Sequence, residues 1–248
     1  MSDAVYVLGN GLSRKNVNPY LLNGAVIGCN ACYRDFEPDI LIAIDGGVIF
    51  DIVESGYSKP CYFTINSWSP LPADIRNQLI LEDDAIIRET TYKSDKFVVI
   101  GGKDEKIEQR INYIIWVPKS QSIKNIMRKP AGVGVDQYGM APITGLWSAG
   151  ICGIFVACKD LNPDKVYLIG FDLSQNSSYD NIYADTSHYF KADSKGPGVN
   201  VLPWSKVYME WIKLILQITR WYPNIEFFWV NDNIKINTPN NLHIIESI

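Results

Sequence analysis

The chain has only two histidines and no apolar run approaching the ~20 residues that a membrane-spanning helix requires. Its first residues, Met1-Ser2-Asp3, lack the basic start and apolar stretch of a secretory signal, so the expected compartment is the cytoplasm. The five cysteines (Cys29, Cys32, Cys61, Cys152 and Cys158) are an odd number, and without a signal they do not read as a disulfide framework. Cys29 and Cys32 form a C-x-x-C, but no second such pair exists to complete a zinc site. Acids or histidines clustered at ligand spacing are also missing, so neither a metal nor another cofactor is expected. There is no basic excess: the net charge is −4 and the pI about 5.2. That balance argues against a long electrostatic footprint on nucleic acid and leaves room only for a local basic cleft.

What is present describes an α/β protein. At 248 residues, 47% apolar and 20% charged, the chain fits a single domain over 1–248 with a sizeable core. Ala4–Leu8, Ala25–Gly28, Ile40–Ile44, Pro60–Thr64, Val166–Ile169 and Glu226–Val230 are brief apolar runs of strand type. Most close on Gly, Asn or Asp, the pattern of parallel strands buried on both faces. Ser13 is a candidate N-cap for a helix over Leu12–Leu22, which Asn18-Pro19 shortens or breaks. Ile143–Cys158 is apolar all round and predicts a buried central helix. Pro203 opens a helix whose Trp204, Val207, Tyr208, Trp211, Ile212, Ile215, Ile218 and Trp221 recur at helical spacing, an ordinary packed face. Residues 119–140 and 174–200 read as mobile loops or a lid. The Asn-rich tail from Asn231 reads as a weakly structured edge.

In an open α/β sheet, ligands bind beyond the carboxyl ends of the strands. Gly9-Asn10-Gly11 after the first strand invites a dinucleotide reading, which fails in detail. Arg14 stands where the third glycine should be, and the neutral Asn30 replaces the acid that would hold a ribose. What remains is a tight turn whose N–H groups can approach a phosphate or sugar, with Asn10 and Ser13 adding side-chain hydrogen bonds. The strand ending at Gly170-Phe171-Asp172 leads through a polar loop to Ser187-His188-Tyr189. His188 is the candidate general base, since an ordinary imidazole, with a pKa of ~6.5, is largely neutral near pH 7. Asp172 reads as a loop organiser more than as a catalytic carboxylate, Asp185 could orient His188, and His243 lies in the tail, outside the site. Asn176-Ser177-Ser178 matches a glycosylation acceptor that would be idle in the cytoplasm.

In chain order, Gly9-Asn10-Gly11-Leu12-Ser13, Gly28-Cys29-Asn30, Ile143-Thr144-Gly145, Tyr167-Leu168-Ile169-Gly170-Phe171-Asp172 and Ser187-His188-Tyr189 resemble the motifs of the bacterial lipo-oligosaccharide sialyltransferases and of wider sialyltransferase-like families. The resemblance implies a Rossmann-like fold, with a mostly parallel sheet flanked by helices, and an inverting glycosyltransferase that needs no metal. It implies that His188 deprotonates the acceptor hydroxyl. It also implies that Asn10 and Asn30 hold the nucleotide-sugar donor, with Gly9, Gly11, Ser13, Gly170 and Asp172 shaping its site. Thr144 and Gly145, at the start of the central helix, would meet the donor's anionic part.

Two departures bear on the donor. Ser174 stands where the family has a leaving-group tyrosine, and the second such tyrosine is Tyr179 or Tyr183. Asp45 stands in place of an asparagine, where it would repel a carboxylated sugar yet accept from hydroxyls. Both point to a donor with more hydroxyls and fewer carboxylates than sialic acid, such as an ordinary or pentose nucleotide-sugar. The acceptor is a glycan or, alternatively, a hydroxymethylated DNA base of the kind phage enzymes glycosylate. Lys119, Lys124, Arg128 and Lys129 would then face phosphates rather than form a plain solvated face. A rival from another class is a nucleotide-binding or interaction protein that has lost catalysis, favoured by Ser174. A homo-oligomer is compatible with all of these.

Overall fold

The structure is a computed structural model and describes residues 3–55, 57, 59, 61–64, 80–81, 98–99, 113–116, 148–173, 179–196, 203–231 and 234–248. In chain order the strands are β1 Ala4–Leu8, β2 Ala25–Cys29, β3 Ile40–Ala43, β4 Cys61–Thr64, β5 Ile80–Leu81, β6 Val98–Val99, β7 Tyr113–Trp116, β8 Lys165–Ile169, β9 Glu226–Val230 and β10 Leu242–Ile245. Among the described residues the α-helices are α1 Gly46–Glu54, α2 Ala149–Val156 and α3 Trp204–Trp221. The chain divides into two compact units, residues 1–32 with 145–248, and residues 33–144.

Among the described residues the first unit forms an all-parallel sheet of five strands in the order β10-β9-β8-β1-β2. The architecture is thus α/β with a parallel sheet and flanking helices. Val5, Val7, Ile27, Val166, Leu168, Phe227 and Trp229 are buried, as continuous apolar runs in a parallel sheet require. Register aligns Tyr6 with Tyr167, Tyr167 with Phe228, and Phe228 with His243. Their rings stack from strand to strand at 4.8, 4.8 and 5.3 Å, cross-strand pairing of the kind that steadies a sheet.

Every residue of α2 is buried, as its all-round apolarity predicts. It lies so close to β1 and β2 that a Cβ on Gly153 would come within 2.9 Å of Val7 and 3.4 Å of Ile27. Ser148 caps it, its hydroxyl accepting from Ile151 N–H at 3.2 Å. One π turn, Ala157–Leu161, follows, and Asn162 ends it in the left-handed region at φ +43° before Pro163. α3 buries Trp204, Val207, Tyr208, Ile212, Ile215 and Ile218 on its apolar face. Each of these large side chains contributes on the order of 1.5–3 kcal/mol on burial, so the face is core, as expected.

Two expectations need correcting. Leu12–Leu22 forms two short 3-10 turns, Leu12–Asn16 and Pro19–Leu21, with Gly11 rather than Ser13 in the capping position. The described central helix begins at Ala149, behind its cap Ser148. The described part of the tail, Asn231 and residues 234–248, is integral. Asn241 Nδ2 reaches the carbonyls of Thr219, Tyr222 and Ile225 at 3.0, 3.1 and 3.0 Å, covering the end of α3. β10 then adds a strand to the sheet after β9, so β9 is not the last.

In the second unit β3 pairs in parallel with β4, β4 pairs antiparallel with β7, and β5 pairs in parallel with β6. Arg34 and Asp51 form an ion pair at 2.9 Å there. The basic stretch Lys119–Lys129, the expected loop 119–140, the glycosylation match Asn176-Ser177-Ser178, and Thr144, Gly145 and Ser174 lie outside the described residues.

Candidate functional site

The carboxyl ends of β1 and β8 are stitched together by backbone. Gly9 N–H donates to the Ile169 carbonyl and Gly11 N–H to that of Gly170, each at 2.8 Å. No side chain fits this crossing: a Cβ on Gly9 or Gly11 would lie 2.5 or 2.6 Å from the Gly170 oxygen. Gly170 itself has φ +73°, a region open to glycine and strained for other residues. Ser13 N–H donates to Asp172 Oδ2 at 2.9 Å, and the Ser13 hydroxyl donates to Oδ1. The Phe171 carbonyl accepts from Trp229 Nε1 at 2.9 Å and Asn231 Nδ2 at 3.0 Å, and Asn231 also donates to the Asp172 carbonyl at 2.9 Å. Gly9, Gly11, Ser13, Gly170 and Asp172 therefore come together, and the N–H groups of Gly9, Gly11 and Ser13 are engaged within the protein. Asp172 organises the loop.

The segment 179–190 closes on the same edge. Ile182 N–H donates to the Asn10 carbonyl at 2.8 Å. The Tyr189 hydroxyl accepts from Asn10 Nδ2 at 3.3 Å and from Ala31 N–H, just past β2, at 3.1 Å. Beneath them lies Arg14, 5% exposed. Its Nη1 donates to Asn10 Oδ1 at 3.1 Å, its Nη2 donates to the Tyr183 hydroxyl at 2.6 Å, and its guanidinium carbon is 5.3 Å from the Tyr183 ring centre. In the sequence Arg14 stands out only where a third glycine is absent. The one sequence signal that marks it is its place, a cation one turn beyond a glycine turn at the carboxyl edge of the sheet.

His188 is exposed. Tyr189 N–H donates to the Thr186 carbonyl at 3.2 Å, Thr186 N–H to that of Tyr183 at 3.1 Å, and Asp185 N–H to that of Phe190 at 3.1 Å, forming a tight double turn. Asn30, Leu173, Asp185 and His188 have φ of +50°, +43°, +64° and +64°. Four non-glycine residues in the left-handed region thus fall on the loops that follow β2 and β8. Strain of this kind gathers at functional sites when the surroundings hold it in place.

Tyr179 is turned into an aromatic group, stacked on Trp204 at 4.7 Å and edge-on to Phe190 at 5.5 Å, with its hydroxyl accepting from Asn181 Nδ2 at 3.1 Å. Tyr183 has its hydroxyl on Arg14. Burial pushes the neighbouring Tyr208 phenol far above its ordinary value; a hydrogen bond from the Asp180 backbone opposes this, and the charges of Asp180 and Asp172 add to the rise.

Asp45 belongs to the second unit, where it is exposed and its carbonyl accepts Ile49 N–H at 2.9 Å. Cys29 and Cys32 are buried thiols outside any disulfide. Burial pushes Cys29 well up, Cys32 and Cys152 add to this, and Arg14 pulls the other way. His243 sits on β10 and meets Glu226 at 2.6 Å, away from these loops in the chain. Among the described residues no group of three or more His, Cys, Asp or Glu could hold a metal ion, and no helix is long and apolar enough to cross a membrane. No protein-family model, curated protein or solved structure matches the chain.

Proposed function

We propose that the protein is a metal-independent, inverting glycosyltransferase of the Rossmann-like, sialyltransferase-like kind, transferring a sugar from a nucleotide-sugar donor to an acceptor hydroxyl. The observation that carries this reading is the bridge made by Tyr189. Its hydroxyl is bonded to Asn10 after β1 and to Ala31 after β2, and the residue beside it is the exposed His188. A basic side chain is thereby attached to the edge of the sheet where α/β proteins bind nucleotides.

In this reading His188 takes the proton from the acceptor hydroxyl as that oxygen bonds to the anomeric carbon. The bond from that carbon to the donor phosphate oxygen breaks on the opposite side, and the nucleotide leaves with the electron pair. A single displacement inverts the configuration. Asn10 has one Nδ2–H on Tyr189 and its Oδ1 on Arg14, which leaves its second amide hydrogen for a donor oxygen. Tyr179 packs against Trp204 and in this reading walls the loop instead of protonating the leaving phosphate.

The test is a transfer and hydrolysis screen over CMP-, CDP-, UDP- and GDP-sugars, run with a chelator, with glycan acceptors and with hydroxymethylated and plain duplex DNA. Release of one nucleotide that depends on an acceptor supports the reading and identifies the acceptor class. Binding of nucleotides without release of sugar from any donor would favour the non-catalytic rival.

A further inference from the structure

We propose that Arg14 is a positioning residue for this site, fixing through Asn10, Tyr183 and Tyr189 the segment that carries His188. The inference rests on the reading of His188 as the base, and it deepens that reading.

A guanidinium has five N–H donors and no acceptor. With Nη1 3.1 Å from the Asn10 side chain, the amide must turn its oxygen toward Arg14. Its NH2 is thereby turned toward the Tyr189 oxygen, 3.3 Å away. That oxygen also accepts from Ala31 N–H at 3.1 Å, so the phenol is held against the ends of both β1 and β2. The other arm of the fork, Nη2, holds the Tyr183 hydroxyl at 2.6 Å. One buried cation therefore secures the segment at two tyrosines, six residues apart in the chain.

Between those two anchors lie Asp185 and His188, both at φ +64°. L-residues adopt this conformation only at a cost and keep it when the surroundings over-determine it. Tyr183 and Tyr189 supply that constraint from either side. A lysine would keep the charge but lack the planar fork that reaches acceptors on two chain segments at once. Arg14 is also close-packed below Gly170, whose added Cβ would lie 3.1 Å from the Arg14 Cβ. It is thus tied to the exits of β1, β2 and β8.

The test uses the full-length chain with Tyr189→Phe and Arg14→Lys, and Tyr189→Phe keeps the ring should the arginine variant fold poorly. Amide hydrogen exchange, run without substrate, is expected to quicken on the order of 10-fold at Ile182, Asp185 and Tyr189 in each folded variant, with the β1 and β8 amides unchanged. With the donor that the wild type uses, kcat is expected to fall on the order of 10-fold while donor KM stays within about twofold, the mark of an interaction that serves the transition state. Unchanged exchange at those amides in Tyr189→Phe overturns the proposal whatever the kinetics. So does faster exchange accompanied by wild-type kcat. A wild type that turns over no donor sinks the glycosyltransferase reading, and with it the role assigned to His188, while the exchange result still reports whether the anchors exist.

Discussion

The backbone N–H of Ser13 donates to Asp172 Oδ2 at 2.9 Å, and the hydroxyl of the same serine donates to the other carboxylate oxygen. The two residues lie 159 positions apart in the chain, so this pair ties the loop after β1 to the loop after β8. Hydrogen bonds to a charged group contribute about 1.5–3 kcal/mol. Asp172→Ala is expected to lower stability by roughly that amount, and Ser13→Ala by about 1 kcal/mol, because the backbone N–H still reaches the carboxylate. Urea unfolding of the two single variants and the double variant checks it. Strict additivity would mean that the side chains do not interact.

Gly11 and Gly170 make the second expectation. A Cβ at Gly11 meets the Gly170 carbonyl oxygen at 2.6 Å and Asp172 Cγ at 2.7 Å, and a backbone oxygen in this crossing cannot rotate aside. Gly11→Ala should therefore destabilise by about 1–3 kcal/mol, as overpacking does. Gly170→Ala adds the cost of a left-handed alanine at φ +73°, about 1–2 kcal/mol. Thermal midpoints for both variants report this, and a Gly11→Ala protein as stable as the wild type would contradict the crossing described.

Thiol chemistry supplies the third. Burial raises Cys29 and Cys158 well above their ordinary value of 9.0, so both stay protonated in the folded protein. Native protein should leave these two thiols unalkylated by iodoacetamide at pH 8 and release them to the reagent once unfolded. Folded values above unfolded ones favour the native state fully below about pH 9, and that contribution is lost as the pH rises and the unfolded thiols ionise. Burial also raises the Tyr208 and Tyr222 phenols, so the same decline should continue through the phenol range. Rapid modification of Cys29 in native protein would show that its site is open.

The frame of this fold is legible in the sequence because β1, β2, β3, β8 and β9 are continuous apolar runs closed by Gly, Asn or Asp, and the α3 periodicity names its buried face. The meeting of Gly9, Asn10, Gly11, Ser13, Asn30, Gly170 and Asp172 at one edge is legible for the same reason, since parallel strands bring their carboxyl ends together. Other features depend on partners distant in the chain. Asn231 appears in a polar tail, yet it is buried because the Phe171 and Asp172 carbonyls need donors there. Arg14 resembles a surface cation until Asn10 and Tyr183 are placed around it. Ser13 has the side chain of a cap, but Asp172 offers a charged acceptor and takes its hydroxyl. The partners of residues 13, 14 and 231 are not written in the residues beside them.

The central claim, that His188 is the base of a sugar transfer, is tested most directly by comparing wild type with His188→Ala on the donor and acceptor identified by the screen. A positioned base contributes 10²–10⁴-fold, so kcat/KM for transfer should fall at least ~100-fold. Nucleotide affinity should hold within about twofold, because the imidazole acts on the acceptor hydroxyl. Equal rates of transfer by the two proteins would contradict the account.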